Sequence, residues 1–166
     1  MDKRALYSLS YGVYIVSTWD KGRAVGCVAN SVMQVTSSPA TVALSLNVDN
    51  YTNACIKESG YFAVSTLPET DDIAPLIGTF GYKSSRDTDK FEGVDTTLFS
   101  ALPVPSRAMA HITCRVADKM EAGSHTVFLG EVTDAALKDG KPLTYDFYRN
   151  VIKGKAPKNA PTYQAD

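Results

Sequence analysis

Two clusters of polar side chains have the residue types needed to bind an anionic or heteroaromatic ligand. The first cluster follows two strand-like runs, and its members are Asn30, Ser31, Ser45, Asn47, Asp49, Asn50, Tyr51 and Thr52. A helix that begins near Tyr51 would offer unpaired amide donors and the positive end of its dipole, which favour a phosphate or the edge of a heteroaromatic ring. Capping and turn formation explain the same residue types without a ligand, so both interpretations stay open.

The second cluster lies on the segment Lys83–Phe91, after a predicted helix stop at Gly81. It combines two lysines, one arginine and two serines. Arg86 can clamp a phosphate monoester through two hydrogen bonds, and the serines can add donors. Two aspartates in the same segment offset this charge, so a solvated loop with local ion pairs is the alternative. Neither GxGxxG nor GxxxxGK(S/T) occurs, so the usual dinucleotide and P-loop mechanisms are not indicated.

The third candidate is His125, which opens a strand-like run after Gly123 and Ser124. Histidine titrates near neutral pH, so it can guide a substrate or exchange a proton, and a hydrogen-bonded structural histidine explains it equally well. The three cysteines form no CxxC pair and there are only two histidines, so neither a disulfide framework nor a metal site is predicted. No GxSxG elbow points to a hydrolase, which is the least favoured class.

The overall composition is that of a globular protein. The chain has 166 residues, 44% of them hydrophobic, and a formal net charge of -1. This length can enclose one core, and the balanced charge disfavours binding to nucleic acid or an anionic membrane. No apolar run approaches the roughly 20 residues of a membrane-spanning helix, and the first residues lack the apolar region of a secretory signal. We therefore expect a cytoplasmic protein.

Strand-like runs separated by turn residues dominate the first part of the chain. The predicted strands cover 12–18, 24–29, 32–35, 41–46 and 61–67, and a second hairpin covers 110–116 and 125–132. Short helices are predicted over 2–10, 51–59 and 70–81. Residues 82–107 are polar and interrupted by prolines, which indicates a functional or a flexible loop.

This order of elements predicts a mostly β fold, an antiparallel barrel or sandwich with a few short peripheral α-helices. Strands and helices do not alternate, which disfavours a doubly wound nucleotide-binding fold. No linker or repeat divides residues 1–150, so we predict one domain there. Residues 151–166 are rich in lysine and proline and are predicted to form an extended C-terminal arm.

Several motifs, in order and spacing, resemble the flavin reductase-like family of FMN-binding split barrels. They are the stretch Gly26–Pro39, the residues Ser45–Asn47 with Asn50–Thr52, the segment Ser84–Phe91, the strand Gly123–Val132, and Pro142–Tyr145 with Tyr148. The resemblance extends over nearly the whole chain. Within the family, the sequence looks most like the flavin reductase domain of high-molecular-weight rubredoxins, whose end resembles Lys153–Tyr163.

The resemblance implies a homodimer of antiparallel Greek-key split barrels that binds FMN near the subunit interface. It assigns Asn30, Ser31 and Val32 to the edge of the isoalloxazine ring. It also implies contacts with the ring, the ribityl chain or the phosphate for Ser45, Leu46, Asn47, Tyr51 and Thr52. The phosphate site would be completed by Ser84, Ser85, Arg86 and Lys90. Cys27 stands where the family often has threonine, and a thiol is a weaker hydrogen-bond donor.

The implied activity is that of an FMN-dependent NAD(P)H oxidoreductase that passes electrons to free flavin, rubredoxin or another small acceptor. Because the cofactor supplies the hydride chemistry, His125 is expected to position the nicotinamide or the flavin ring. Tyr148 and the arm are expected to cover the pocket of their own or the neighbouring subunit, or to dock on the core for stability alone. The chain has no CxxC pair, so a rubredoxin or flavodiiron-type redox partner would be a separate module.

Two other functions fit the same residues. A flavoprotein electron carrier would keep FMN bound and would be reduced by a protein partner. A related split barrel would use the same anion loop for another ligand, such as haem or a pyridoxal-type phosphate. The sequence does not distinguish NADH from NADPH, because the acidic residue that reads the ribose in a Rossmann fold has no counterpart here.

Overall fold

A computed structural model of the chain describes residues 1–158 and 160–163. Nine strands lie within these residues, and seven of them form one antiparallel sheet of order β2-β1-β5-β8-β9-β4-β3. The strands are β1 (Tyr14–Asp20), β2 (Arg23–Ala29), β3 (Val32–Ser37), β4 (Ala40–Asn47), β5 (Tyr61–Thr66), β6 (Thr96–Phe99), β7 (Leu102–Pro105), β8 (Ala110–Ala122) and β9 (His125–Leu137). Strands β6 and β7 form a separate hairpin. The prediction of a mostly antiparallel β fold is confirmed.

The helices are short and lie around the sheet. They are α1 (Tyr51–Ser59), α2 (Ala74–Tyr82) and α3 (Tyr145–Asn150), with 3-10 helices at Lys3–Ser8 and Asp71–Ile73. Helix α1 is capped at its start by Asn50, whose side chain accepts a hydrogen bond from the Thr52 amide, and at its end by Gly60, which has a φ of 74°. Both ends follow the usual capping chemistry. No helix among the described residues is long and apolar enough to cross a membrane.

Two apolar cores support the sheet from different sides. The first joins β1, β2, β4, β5, β8, β9 and helix α1, and its largest buried side chains are Phe62, Phe128, Leu44 and Ile56. The second holds helices α2 and α3 against β1 and the loop that precedes α3, and it contains Ile77, Phe80, Phe91, Leu143 and Tyr148. The rings of Phe80 and Phe91 meet edge to face with centroids 4.9 Å apart, a favoured aromatic geometry. This second core fixes the end of α2 beside β2.

The polar and proline-rich sequence of residues 82–107 predicts a loop, but the structure does not have one irregular loop there. The second half of this segment forms the β6–β7 hairpin, in which Leu102 and Val104 are buried against Ala63. Trp19 Nε1 donates a hydrogen bond of 2.8 Å to the Ala101 carbonyl and ties the turn to β1. Proline is tolerated there because a two-stranded ribbon consists only of edge strands.

Four other elements differ from the sequence prediction. The opening segment is a 3-10 helix, and its predicted apolar face is exposed, since Leu6 and Leu9 keep 57% and 56% of their surface accessible. Strands β8 and β9 are 13 residues long each, well beyond the predicted hairpin. Helix α3 lies where no helix is predicted. Of the predicted arm, residues 159 and 164–166 lie outside the described residues.

Candidate functional site

A cavity of about 380 Å³ lies where β2 and β4 end, between helix α1 and the end of helix α2. This volume falls within the range of small-molecule and cofactor sites. The residues that line it are Val13, Cys27, Val28, Ala29, Asn30, Ser45, Leu46, Asn47, Asp49, Asn50, Tyr51, Ile77, Phe80, Gly81, Tyr82, Lys83, Ser84, Ser85, Lys90, Tyr145, Tyr148, Lys155, Ala156, Pro157, Lys158, Ala160, Pro161 and Thr162. Four of these are lysines and only Asp49 is acidic, so the lining is cationic.

One wall of the cavity is polar and is set by the end of β4. Asn53 Nδ2 donates to the Leu46 carbonyl at 3.1 Å and holds helix α1 against this strand end. Asn47 Oδ1 accepts from the Asp49 amide at 2.8 Å. The first cluster of the sequence analysis therefore serves as turn and cap as well as cavity lining. Ser45 and Asn30 stand on the same wall.

Another part of the lining carries buried donors that converge on Gly26 in β2. Lys90 Nζ donates to the carbonyls of Gly26 and Phe80, each at 2.9 Å. Ser85 Oγ accepts from the Gly26 amide at 3.2 Å and donates to its carbonyl at 3.0 Å. Burial lowers the pKa of Lys90 from its ordinary value. A side chain at position 26 would meet the Val16 carbonyl at 2.8 Å, so this close approach requires glycine.

Tyr51 anchors a charged cluster beside the cavity. Its hydroxyl donates to Asp20 Oδ2 at 2.8 Å, and Arg23 donates to the same oxygen at 3.0 Å. These two hydrogen bonds, with that of Arg23 the stronger influence, hold the pKa of Asp20 below its usual range. The guanidinium carbons of Arg86 and Arg23 lie 5.5 and 5.8 Å from the centre of the Tyr51 ring, within cation–π range.

Cys27 also lines the cavity, and it is buried. Burial raises the pKa of its thiol, and the nearby Lys90 opposes this effect only in part. The thiol is therefore neutral at physiological pH. The free cysteines of the structure are Cys27, Cys55 and Cys114, all buried.

The structure brings together eight of the residues predicted for the cofactor site: Asn30, Ser45, Leu46, Asn47, Tyr51, Ser84, Ser85 and Lys90 line one cavity. Five others do not line it: Ser31, Val32, Thr52, Arg86 and His125. The roles assigned to all thirteen residues stay predictions.

Three of the five residues outside the lining, Ser31, Thr52 and His125, are neighbours of residues that line it. Ser31 Oγ donates to Asn30 Oδ1 at 3.2 Å, and Thr52 is buried on the first turn of α1 with no partner for its hydroxyl among the described residues. His125 pairs with Asn47 in the β4–β9 ladder. Its Nδ1 lies 2.9 Å from Ser124 Oγ, and its Nε2 is buried without a partner in the described part of the chain.

Sequence reasoning gave no site role to Tyr82, at the end of helix α2, or to Tyr145, on the unpredicted helix α3. It did place Lys83 in the second cluster, and the resemblance implied that the C-terminal arm, which carries Lys155 and Lys158, covers the pocket. The N-cap Thr144, whose hydroxyl accepts from the Phe147 amide at 3.1 Å, is the signal that indicates α3. No cluster of three or more metal-ligating side chains occurs in the ranges that the structure covers.

The fold is that of the split-barrel flavin reductases. The solved structure of flavin reductase PheA2 superimposes with a TM-score of 0.75 and 31% identity, covering 87% of this chain and 93% of that one. The chain belongs to the family described as flavin reductase like domain, whose model matches residues 6–151. This confirms the resemblance seen in the sequence.

Two curated relatives are similar over almost the whole chain. The ferric-chelate reductase (NAD(P)H) of Archaeoglobus fulgidus is 43% identical over 166 residues, which cover 98% of this chain and 98% of that protein. The high molecular weight rubredoxin of Moorella thermoacetica is 41% identical over 166 residues, 98% of this chain and 72% of that protein.

Proposed function

We propose that this protein is a flavin reductase that binds FMN in the cavity and oxidises NADH or NADPH. The observation that carries the proposal is one cavity whose lining joins a polar strand end, apolar walls and several cations. The relatives named above, a ferric-chelate reductase that uses NAD(P)H and a flavin reductase, support the same activity.

The residues of the cavity fit the parts of FMN. The polar wall of Asn30, Ser45 and Asn47 suits the hydrogen-bonding edge of the isoalloxazine ring. The apolar lining, which includes Leu46 and Phe80, suits the flat ring itself. Lys90 is a buried cation that forms no ion pair with any described carboxylate, so a phosphate would supply its missing counter-charge.

When bound, FMN supplies the hydride acceptor, and the protein supplies placement. The residues that line the cavity would hold the flavin ring and leave one face of it for the nicotinamide, and such placement is the main requirement of hydride transfer. His125 lies opposite Asn47 in the ladder, and we assign it a positioning role through this strand end. Arg86, Ser84 and Lys90 are assigned to the phosphate.

We also propose a homodimer. Strand β3 is a sheet edge, and all its residues after Val32 are exposed, including Met33 and Val35. A groove beside it is lined mainly by apolar residues, among them Val32 and Met33 of β3 and Val42 of β4. A second copy of the chain would cover both features and would protect the free edge. Sedimentation equilibrium at micromolar concentration tests this, and a monomer would refute the dimer.

The electron acceptor and the location complete the proposal. Free flavin or a rubredoxin-type protein is the proposed acceptor, and the similarity to a high molecular weight rubredoxin supports the second. Three unpaired cysteines favour a reducing compartment, and we propose the cytoplasm.

The decisive experiment is an anaerobic absorbance titration of the protein reconstituted with FMN. Bleaching of the bound flavin by NADH or NADPH is the expected result and identifies the preferred donor. A bound flavin that neither nucleotide reduces would refute the reductase and would favour an electron carrier. Failure to bind FMN, with a haem or pyridoxal spectrum instead, would refute the cofactor.

A further inference from the structure

The C-terminal arm, residues 151–158 and 160–163, forms part of the cavity of its own chain. Seven residues of the arm contribute to the lining: Lys155, Ala156, Pro157, Lys158, Ala160, Pro161 and Thr162. The arm is therefore a wall of the site rather than a surface segment docked for stability elsewhere.

Two tyrosine hydroxyls hold the near end of the arm. Tyr82 Oη donates to the Lys155 carbonyl at 2.6 Å, and Tyr148 Oη donates to the same oxygen at 3.2 Å. Burial raises the pKa of Tyr148, so its hydroxyl keeps its proton and acts as a donor. The Gly154 amide donates to the Tyr148 carbonyl at 2.9 Å. These contacts fix the backbone where Lys155 leaves the protein core.

The far end of the arm is held by the polar wall. Asn30 Nδ2 donates to Thr162 Oγ1 at 2.8 Å, and Thr162 Oγ1 donates to Tyr145 Oη at 3.1 Å. The arm thus crosses the cavity from Tyr82 to Asn30. A ligand in the cavity would lie against this span, because residues of the span form part of the lining.

The span carries two cations with no described counter-charge. Lys155 and Lys158 are exposed, and neither forms an ion pair with a carboxylate among residues 1–158 and 160–163. They are distinct from the buried Lys90, which donates to two carbonyls. The cavity lining therefore has one buried cation, Lys90, and three exposed ones, of which Lys83 lies at the end of helix α2 and the other two lie on the arm.

We propose that Lys155 and Lys158 bind the phosphate groups of the nicotinamide dinucleotide, with Tyr82 and Tyr148 as positioning residues. This inference rests on the proposed function. A nicotinamide ring that stacks inside the cavity leaves its pyrophosphate at the opening, where exposed cations are able to pair with it. The buried Lys90 stays with the phosphate of the cofactor.

The test compares Lys155→Gln/Lys158→Gln with Lys153→Gln, which removes an exposed charge on the same arm outside the cavity lining. The donors are NADH, NADPH and N-benzyl-1,4-dihydronicotinamide, which carries the reacting ring and no phosphate. We expect the double variant to raise the KM of the dinucleotides about tenfold, the scale of one or two charge-assisted contacts, with kcat and FMN affinity unchanged. The control and the phosphate-free donor should behave as with the wild type.

Three results would overturn the proposal. They are an unchanged KM for both dinucleotides, an equal loss with the phosphate-free donor, and a loss of FMN affinity in the double variant. A wild-type protein that oxidises neither dinucleotide refutes the proposed function itself, which is a separate outcome because it appears before any variant is made.

The positioning role of the tyrosines has its own readout. Tyr82→Phe removes one donor to the Lys155 carbonyl and should raise the dinucleotide KM severalfold with kcat unchanged. In the Lys155→Gln/Lys158→Gln background the same change should have no further effect, because the lysines that it positions are absent. Additive effects on KM in this double-mutant cycle would show that Tyr82 acts independently of the lysines.

Discussion

Lys90 donates a hydrogen bond of 2.9 Å to the carbonyl of Gly26, across 64 residues of chain. The same ammonium group donates to the Phe80 carbonyl, and both contacts are buried. An ammonium has three donors, so one remains for a ligand in the cavity. Lys90 therefore combines a structural role between β2 and α2 with the proposed role at the phosphate of FMN.

The variant Lys90→Met tests both roles of Lys90. Methionine keeps most of the side-chain volume but leaves two buried carbonyls without this partner, so the free energy of unfolding should fall by about 1–3 kcal/mol. FMN affinity should fall as well. Urea denaturation and fluorescence titration with FMN measure the two effects. Lys83→Met is the control for stability, since Lys83 is exposed. A Lys90→Met variant with normal stability and normal FMN affinity would contradict both roles of Lys90.

Arg86 is the predicted phosphate clamp, and the structure has it exposed over the ring of Tyr51 rather than in the cavity lining. If it reaches the phosphate of FMN, Arg86→Ala should weaken FMN binding by roughly 1–3 kcal/mol. Arg86→Lys keeps the charge but loses the planar fork, so an intermediate loss is expected. Calorimetric titration of the apoprotein with FMN measures this, and equal affinity in all three proteins would remove Arg86 from the site.

The lowered pKa of Asp20 predicts that the stability of the protein depends on pH. Arg23 and Tyr51 lower the folded-state pKa of Asp20 below its unfolded value of about 3.9, so the unfolded chain takes up a proton first as the pH falls. The stabilisation is complete above this value and is lost as the pH falls through the folded pKa. Asp20→Asn should therefore be less stable than the wild type at pH 6, and the gap should narrow below about pH 4.

Urea denaturation of both proteins between pH 6 and pH 3 measures this gap. Asp139→Asn, at an exposed aspartate that forms no ion pair with any described residue, is the matched control and should show no comparable change. A gap between Asp20→Asn and the wild type that stays constant with pH would show that the carboxylate charge is not the source of the stabilisation.

The sequence predicts the strands and the polar wall well because both depend on local chemistry. The predicted strands 12–18 and 24–29 contain β-branched residues, and turn residues lie between the two strands. Asn50 and Gly60 are standard caps for α1. Asn30, Ser45 and Asn47 stand next to strand ends, and the sheet brings these ends together. Neighbouring residues therefore determine both the element and the position of the side chain.

The parts that the sequence does not predict depend on contacts between distant residues. The β6–β7 hairpin has prolines at positions 103 and 105, which argue against a strand, and it forms because Leu102 and Val104 bury against Ala63. The arm has few apolar residues, and hydrogen bonds to Tyr82, Tyr148 and Asn30 hold it in place. The local sequence of neither segment indicates the distant residues that it contacts.

Cys27 offers a chemical probe of the cavity. Burial raises the pKa of Cys27 above the ordinary thiol value and that of Cys114 to about 12, so little reactive thiolate forms at neutral pH. Alkylation of the apoprotein by iodoacetamide should be slow at pH 7 and should increase at Cys27 as the pH rises. FMN should suppress this reaction because Cys27 lines the cavity, whereas Cys114 should stay unreactive with or without FMN. Peptide mass spectrometry measures each site, and equal labelling of Cys27 with and without FMN would contradict the cofactor position.

The substitution Gly154→Ala tests the packing of the arm against Tyr148 without altering a charge. A Cβ at this position would collide with Cζ of Tyr148, and the ring is buried, so Gly154→Ala must displace the arm or the tyrosine. We expect faster tryptic cleavage after Lys155 and a higher KM for the dinucleotide, with little change in Tm because the sheet is untouched. Gly78→Ala is the matched control, since an added Cβ there meets nothing within 4 Å and alanine favours the helix. If Gly154→Ala is cleaved no faster than Gly78→Ala, the arm does not depend on its contact with Tyr148.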